Sequence, residues 1–267
     1  METSKASVNT SQLLRKTLPF CFLAALALLG GAETAKAESI LIIGDSLSCG
    51  PFGGEMLKGL AAQGHKVRLY CSVSSSPRNW VSGTNAKSKT GVFPCETREI
   101  QPHASDYTKG SCDGSPKIPK FADILRTNPS SRVIVALGTN SLPDGPDANY
   151  SAMTSQIKGA GRTCDWIGPP HLEPRANCLV RPADGLCVRE AGLTKMYTSL
   201  RSKVGGDCRV ISSLDATKPG TAGNKTGDGI HSTAAAATFR FQTMRSEILS
   251  GPAGGSSRPT KASGRSN

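Results

Sequence analysis

The sequence predicts an α/β protein built on a mostly parallel sheet with helices on both faces. Three observations lead there. Five short apolar runs, most of them β-branched and bounded by Gly, Pro, Ser or Asp, read as buried strands. Stretches with apolar residues at helical spacing alternate with them. Alternation of that kind builds parallel sheets covered on both sides. The 267 residues hold one such domain with appendages rather than two large domains.

The chain opens with a targeting pattern. Lys5, Arg15 and Lys16 precede an apolar run from Thr17 to Leu29, and Ala35 and Ala37 supply the small residues of a signal peptidase site. Residues 1–37 are therefore expected to be a signal peptide, with an uncleaved anchor as the alternative. The run is too short for a good membrane span, so no stable membrane insertion is expected after cleavage.

The expected folded domain covers 38–250. Its strands are expected at Ile40–Ile43, Val67–Val73, Val133–Leu137, Trp166–Ile167 and Val210–Leu214, the fourth being weak by itself. Helices are expected at Glu55–Gln63, Lys120–Arg126, Ala148–Gly159, Arg189–Val204 and Thr233–Leu249. Ser74–Pro119 breaks the rhythm: it is rich in Ser, Gly, Lys and Pro and carries Cys95 and Cys112. A loop this long is usually functional or stapled, and it is expected beside the strand ends where α/β sheets place ligands. Residues 251–267 are expected to form a disordered basic tail.

The aromatic share, 5%, is low and argues against a deep lipid tunnel. Signal removal takes out four basic and two acidic residues and moves the formal net charge from +12 to +10. That charge suits anionic envelope polymers or membrane surfaces, and plain solubility explains it equally because it is spread along the chain. No nucleic-acid partner is expected. With Cys21 removed, eight cysteines remain, at 49, 71, 95, 112, 164, 178, 187 and 208. An even number in an exported chain argues for disulfides, and no C-x-x-C pair argues for metal. Cys178 with Cys187 and Cys164 with Cys208 are the two supported pairings, the first across a short loop and the second at neighbouring strand starts.

Three segments carry candidate chemistry. Gly44-Asp-Ser-Leu47 ends the first strand and would present the Ser46 hydroxyl at the crevice, with the next helix start supplying N–H groups and a dipole suited to an oxyanion. A helix cap explains Asp and Ser there as well. Gly138-Thr-Asn140 ends a later strand, where Asn140 is either a donor into the crevice or a turn residue. Asp228-Gly-Ile-His231 opens the final helix. Histidine near a serine is the usual base for acyl transfer, and an aspartate can hold its other ring nitrogen, although the pair also reads as a cap and a surface residue.

Taken in order, these blocks resemble those of the SGNH (GDSL-like) hydrolase family, over roughly Ile40 to Leu249. The resemblance implies a three-layer α/β/α, flavodoxin-like sandwich on a five-stranded parallel sheet. It implies a serine esterase with Ser46 as nucleophile, His231 as base and Asp228 orienting it. The oxyanion would lie between the Ser46 N–H, the Asn140 side chain and one further N–H. The family has a glycine after the second strand for that last donor. This chain reads Ser74-Ser75 instead, and either serine would take the place. A side chain there would narrow the pocket toward small acyl groups.

Asp165-Trp-Ile-Gly-Pro-Pro170 resembles the fourth-strand segment of carbohydrate-directed members and is expected to shape the crevice wall or to be a buried Trp with a stiff turn. Trp80 and Arg78 suit sugar stacking or anion contact, or simple packing of the insertion. His65, His103 and His171 receive no role. No cofactor or metal is needed for this chemistry. The expected function is hydrolysis of short acyl esters, acetyl foremost, on a cell-envelope carbohydrate by a periplasmic or secreted enzyme. A lipolytic esterase or thioesterase, an acyltransferase to a sugar hydroxyl and an inactive glycan-binding module are the alternatives. No protein partner is visible in the sequence.

Overall fold

The computed structural model describes residues 37–88, 91–142, 145–172, 190–218 and 226–251. The expected signal peptide up to residue 36, the tail beyond Gly251 and the Cys178–Cys187 pairing lie outside the described residues.

The first strand, β1, runs Ser39–Gly44. A single turn, α1 (Ser46–Cys49), leads into α2 (Pro51–Ala62) and then β2 (Lys66–Ser72). After the insertion come α4 (Phe121–Thr127), β7 (Arg132–Ala136), α5 (Ala148–Gly159) and β8 (Thr163–Ile167). The chain closes with α6 (Glu190–Val204), β9 (Arg209–Ile211), the short α7 (Leu214–Thr217) and α8 (Ala234–Ser250). Strand residues alternate between two cores, as the period of two requires. Leu41 and Ile43 pack with residues of α4, α5 and α6, whereas Ile40 and Ile42 pack with those of α2 and α8. Helices therefore cover both faces.

The sheet differs from the expectation in strand number. It has seven strands, not five: with β5 (Cys95–Ile100) and β6 (Thr108–Ser111) the order is β6-β5-β2-β1-β7-β8-β9. The five expected strands are present and pair in parallel in the order β2-β1-β7-β8-β9. That is the flavodoxin-like order, with its switch point between β1 and β7. The two additional strands come from the insertion.

Ser74–Pro119 is thus not a plain loop. It forms α3 (Pro77–Ser82), a small hairpin of β3 (Lys87–Ser88) and β4 (Gly91–Val92), then β5 (Cys95–Ile100) and β6 (Thr108–Ser111). β5 pairs antiparallel with β2, from Ser72 opposite Cys95 to Val67 opposite Ile100. β6 closes the edge beyond it. Lys66 and Arg68 of β2 form ion pairs with Glu99, and a Cys95–Cys112 disulfide ties the two added strands. These polar ties replace the apolar pattern that marks an ordinary strand.

Three disulfides lie among the described residues: Cys49–Cys71, Cys95–Cys112 and Cys164–Cys208. The last is the pairing expected from the strand starts. A buried ionic cluster sits near the strand beginnings. Arg132 donates through Nε to Asp165 Oδ2 at 2.8 Å and through Nη2 to the Ile248 carbonyl at 2.5 Å. Arg209 donates to Asp165 Oδ1 at 2.8 Å. Asp165 thus anchors the end of α8 and is no part of a crevice wall. Trp166 is also core: it stacks on Tyr150 at 5.0 Å and donates to the Leu137 carbonyl.

Candidate active site

Ser46 follows β1, and Asn140 follows β7, so the two flank the switch point of the sheet. Asp45, not Ser46, caps α1: its Oδ1 accepts from the Leu47 N–H at 2.9 Å. The cap function is thereby taken, and the half-buried Ser46 hydroxyl is not needed for it. The helix expected after Ser46 is only the four residues of α1 before Pro51 starts α2. Its dipole is correspondingly small, so the turn offers individual N–H groups rather than a helix field. Gly44 is required by close approach, since a Cβ there would sit 2.1 Å from Ser48 Oγ.

Asp45 is 1% exposed. Burial pushes its carboxyl up to about 6, against the Leu47 N–H and the charges of Arg240 and His231. Arg240 is itself buried, stacks 3.7 Å from the Phe52 ring centre and donates to Ser213 Oγ at 2.8 Å. Burial brings its guanidinium down to about 10. A small cavity under the Ser46 turn is walled by Leu47, Ser48, Phe52, Thr139, Pro169 and Arg240, among others. Of the 165–170 segment, the expected wall residues that line it are Ile167 to Pro170.

Asp228 and His231 lie in a turn ahead of α8, not in its first turn. Thr233 supplies the cap, accepting from the Ala236 N–H at 3.3 Å. Asp228 is therefore free of that task and is wrapped by donors. Its Oδ1 accepts from the Thr226 hydroxyl at 2.7 Å, the Ile230 N–H at 2.8 Å and the His231 N–H at 3.0 Å. Its Oδ2 lies 2.5 Å from His231 Nδ1. Burial pushes the carboxyl up, but the His231 ring and the other hydrogen bonds outweigh it and hold Asp228 well below the usual carboxylate range. With Nδ1 donating to Asp228, the neutral ring keeps Nε2 as its acceptor.

Asn140 is exposed, and its Nδ2 donates to the Ser75 carbonyl at 2.9 Å and to Asp45 Oδ2 at 3.3 Å. The structure thus brings Asn140, Asp45 and the Ser74–Ser75 turn together. Gly138, two residues earlier, has φ 142°, a value that disfavours any side chain.

The two candidate serines differ sharply. Ser74 is exposed and has φ 59°, the left-handed region that favours glycine. Ser75 is fully buried, and its N–H donates to the Ser72 carbonyl at 3.3 Å. Its hydroxyl lies 2.8 Å from the Ser72 carbonyl and accepts from Trp80 Nε1 at 3.1 Å. Trp80 is buried as well, so it packs the insertion and offers no stacking platform. Sequence reasoning missed Asp45 as the hub joining Asn140 to α1. The signal was present, since a buried Asp directly before a candidate nucleophile needs donors.

Among the described residues, no group of three His, Cys, Asp or Glu is arranged to hold a metal, and no helix is long and apolar enough to cross a membrane.

No protein-family model and no curated protein match this sequence. Solved structures do. An SGNH hydrolase from Slackia heliotrinireducens aligns with a TM-score of 0.50 at 13% identity, covering 79% of this chain and 98% of that one. A carbohydrate acetylesterase from Sinorhizobium meliloti aligns with the same TM-score, identity and coverage, 0.50, 13%, 79% and 98%. The fold is that of the SGNH hydrolases, as the order of the sequence blocks led us to expect.

Proposed function

We propose that this chain is an exported serine ester hydrolase that removes short acyl groups, acetyl foremost, from a cell-envelope carbohydrate. The observation that carries the reading is the 2.5 Å contact between His231 Nδ1 and Asp228 Oδ2, which leaves Nε2 of the neutral ring as an acceptor for a hydroxyl proton. Ser46 Oγ attacks the ester carbonyl and gives its proton to His231 Nε2. The imidazolium forms against Asp228, whose lowered pKa keeps it a carboxylate and favours the charged pair. The Ser46 N–H, the Ser74 N–H and the Asn140 amide stabilise the oxyanion. The Ser75 N–H is committed to Ser72, which supports Ser74 as the second backbone donor. Asn140 must turn part of its amide away from Asp45 or Ser75 to take that role. His231 then returns the proton to the leaving alcohol. Water, activated by the same imidazole, releases the acid from the acyl-enzyme.

Short acyl groups are favoured by the exposed Ser74 side chain, which occupies space a glycine would leave open. The fold shared with a carbohydrate acetylesterase supports a glycan ester as substrate. Three disulfides support export, because such bonds persist in oxidising compartments. The test is acyl release from purified envelope glycans, phospholipids and p-nitrophenyl acetate by the mature protein and by Ser46→Ala. Acetate release from the glycan that Ser46→Ala abolishes is expected. Preferential release of fatty acid from phospholipid, or full activity in Ser46→Ala, contradicts the proposal.

A further inference from the structure

We propose that the Cys49–Cys71 disulfide and Arg98 are positioning residues for ester cleavage, bracing the turn that carries Ser46 against the strand end that leads to Ser74. The inference rests on the function proposed above and adds a role for the insertion.

Cys49 is the last residue of α1, three positions after Ser46, and Cys71 lies in β2, three positions before Ser74. Their disulfide joins Cα atoms 5.4 Å apart and thus couples the two segments that carry the Ser46 and Ser74 N–H groups. A one-turn helix has little stability of its own, because its nucleus fixes several residues for few hydrogen bonds. Something outside it must hold its end.

Arg98 does so from the insertion. It is 5% exposed, and its Nη2 donates to the Cys49 carbonyl, one of the carbonyls that a helix end leaves without an intrahelical partner. Its Nε donates to Glu96 Oε1 at 2.6 Å, which fixes the guanidinium. β5 is registered on β2 so that Glu96 faces Cys71 itself. Tyr107, further along the insertion, lies under the Arg98 guanidinium at 5.4 Å from the ring centre. Cys49 is therefore held twice, by its side chain to β2 and by its carbonyl to β5. Both restraints act just behind the reacting hydroxyl, where a misplacement of about 1 Å is enough to lose roughly 100-fold in rate.

A purely structural disulfide would behave differently. In the chain-entropy view, the bond closing the longer loop stabilises more. Cys164–Cys208 spans 44 residues against 22 for Cys49–Cys71, and it links the β8 and β9 side of the sheet. The experiment compares Cys49→Ala/Cys71→Ala, Cys164→Ala/Cys208→Ala and Arg98→Met, each as the full mature chain. The readouts are kcat and KM on p-nitrophenyl acetate together with Tm. Removing Cys49–Cys71 is expected to lower kcat at least about 30-fold with KM within about threefold, and Arg98→Met at least about fivefold, as displaced reacting groups would. Removing Cys164–Cys208 is expected to lower Tm at least as much while kcat stays within about twofold. Arg98→Met keeps every disulfide and decides the matter if the first variant fails to fold. Equal kcat in Arg98→Met and the unmutated protein, or equal kcat losses from the two disulfide deletions, overturns the brace alone. Absence of turnover in the unmutated protein overturns the function and the brace together.

Discussion

Paired substitutions at Ser74 and Ser75 separate two neighbours that look alike in sequence. Ser75→Ala removes a hydroxyl that sits 2.8 Å from the Ser72 carbonyl and accepts from Trp80 Nε1 at 3.1 Å. Losing the first contact costs about 1 kcal/mol, and leaving a buried indole N–H without an acceptor costs about 1–3 kcal/mol more. A loss of about 2–3 kcal/mol is the expected sum, allowing for local relaxation. Ser74→Gly works in the opposite direction. The left-handed conformation at φ 59° costs an L-residue roughly 1–2 kcal/mol, and glycine returns about 0.5–1 kcal/mol of that as lost unfolded-chain entropy. A net gain of about 0.5–1 kcal/mol is expected. Guanidinium unfolding under non-reducing conditions, followed by circular dichroism, measures both as shifts of the midpoint at constant slope. The same Ser74→Gly protein is expected to accept longer acyl chains, read from rates on p-nitrophenyl acetate, butyrate and octanoate. A Ser75→Ala loss below about 0.5 kcal/mol, or a destabilised Ser74→Gly, would refute the assignment of the two serines.

Other outcomes follow from the same contacts. Asp228→Asn is expected to lower kcat roughly 10⁴-fold on p-nitrophenyl acetate, because the imidazole loses its charged orienting partner, and to lower Tm as well at neutral pH, because the carboxylate held below its usual range is lost. Asp45 has its carboxyl raised from 3.8 to about 6, so ionising it weakens the fold as pH rises from about 4 to 6. Asp45→Asn keeps a capping oxygen for the Leu47 N–H but sets its amide NH2 against Asn140 Nδ2, so its gain in stability over the unmutated protein across that window is expected to stay below about 3 kcal/mol in urea titrations. Asp165→Asn leaves the buried Arg132 guanidinium with only the more distant Glu38 carboxylate at 3.9 Å, an expected loss of about 3 kcal/mol. Activity per folded molecule should hold in that variant, because the cluster lies at the other end of the strands.

The legible part of this protein was the part where local pattern and chemistry coincide. Ser46 and Asn140 stand next to apolar runs whose strand character is plain, so their placement at strand ends could be read directly, whereas Asp228 and His231 were expected to open the final helix and lie in the turn before it. The added strand β5 could not. Its Glu96-Thr97-Arg98-Glu99 has no apolar period, and its stability comes from Arg68, Lys66 and a disulfide, all distant in the chain. The Cys49–Cys71 bond was hidden for a related reason, since it depends on β1 and β2 lying side by side with Gly44 opposite Cys71. Ser74 and Ser75 differ only in backbone angle and burial, and neither is encoded in residue type. Trp80 and Trp166 were ambiguous because an indole serves a core and a sugar platform equally well. Burial and their N–H acceptors, Ser75 and Leu137, assign both to the core.

The central claim is that Ser46 is the nucleophile. Its most direct test is stoichiometric reaction of the mature protein with a fluorophosphonate, followed by peptide mass mapping. The expected result is one adduct per molecule, on Ser46, formed at a rate that falls steeply in Asp228→Asn. An unlabelled protein, or an adduct on any other residue at the same rate in Ser46→Ala, would contradict it.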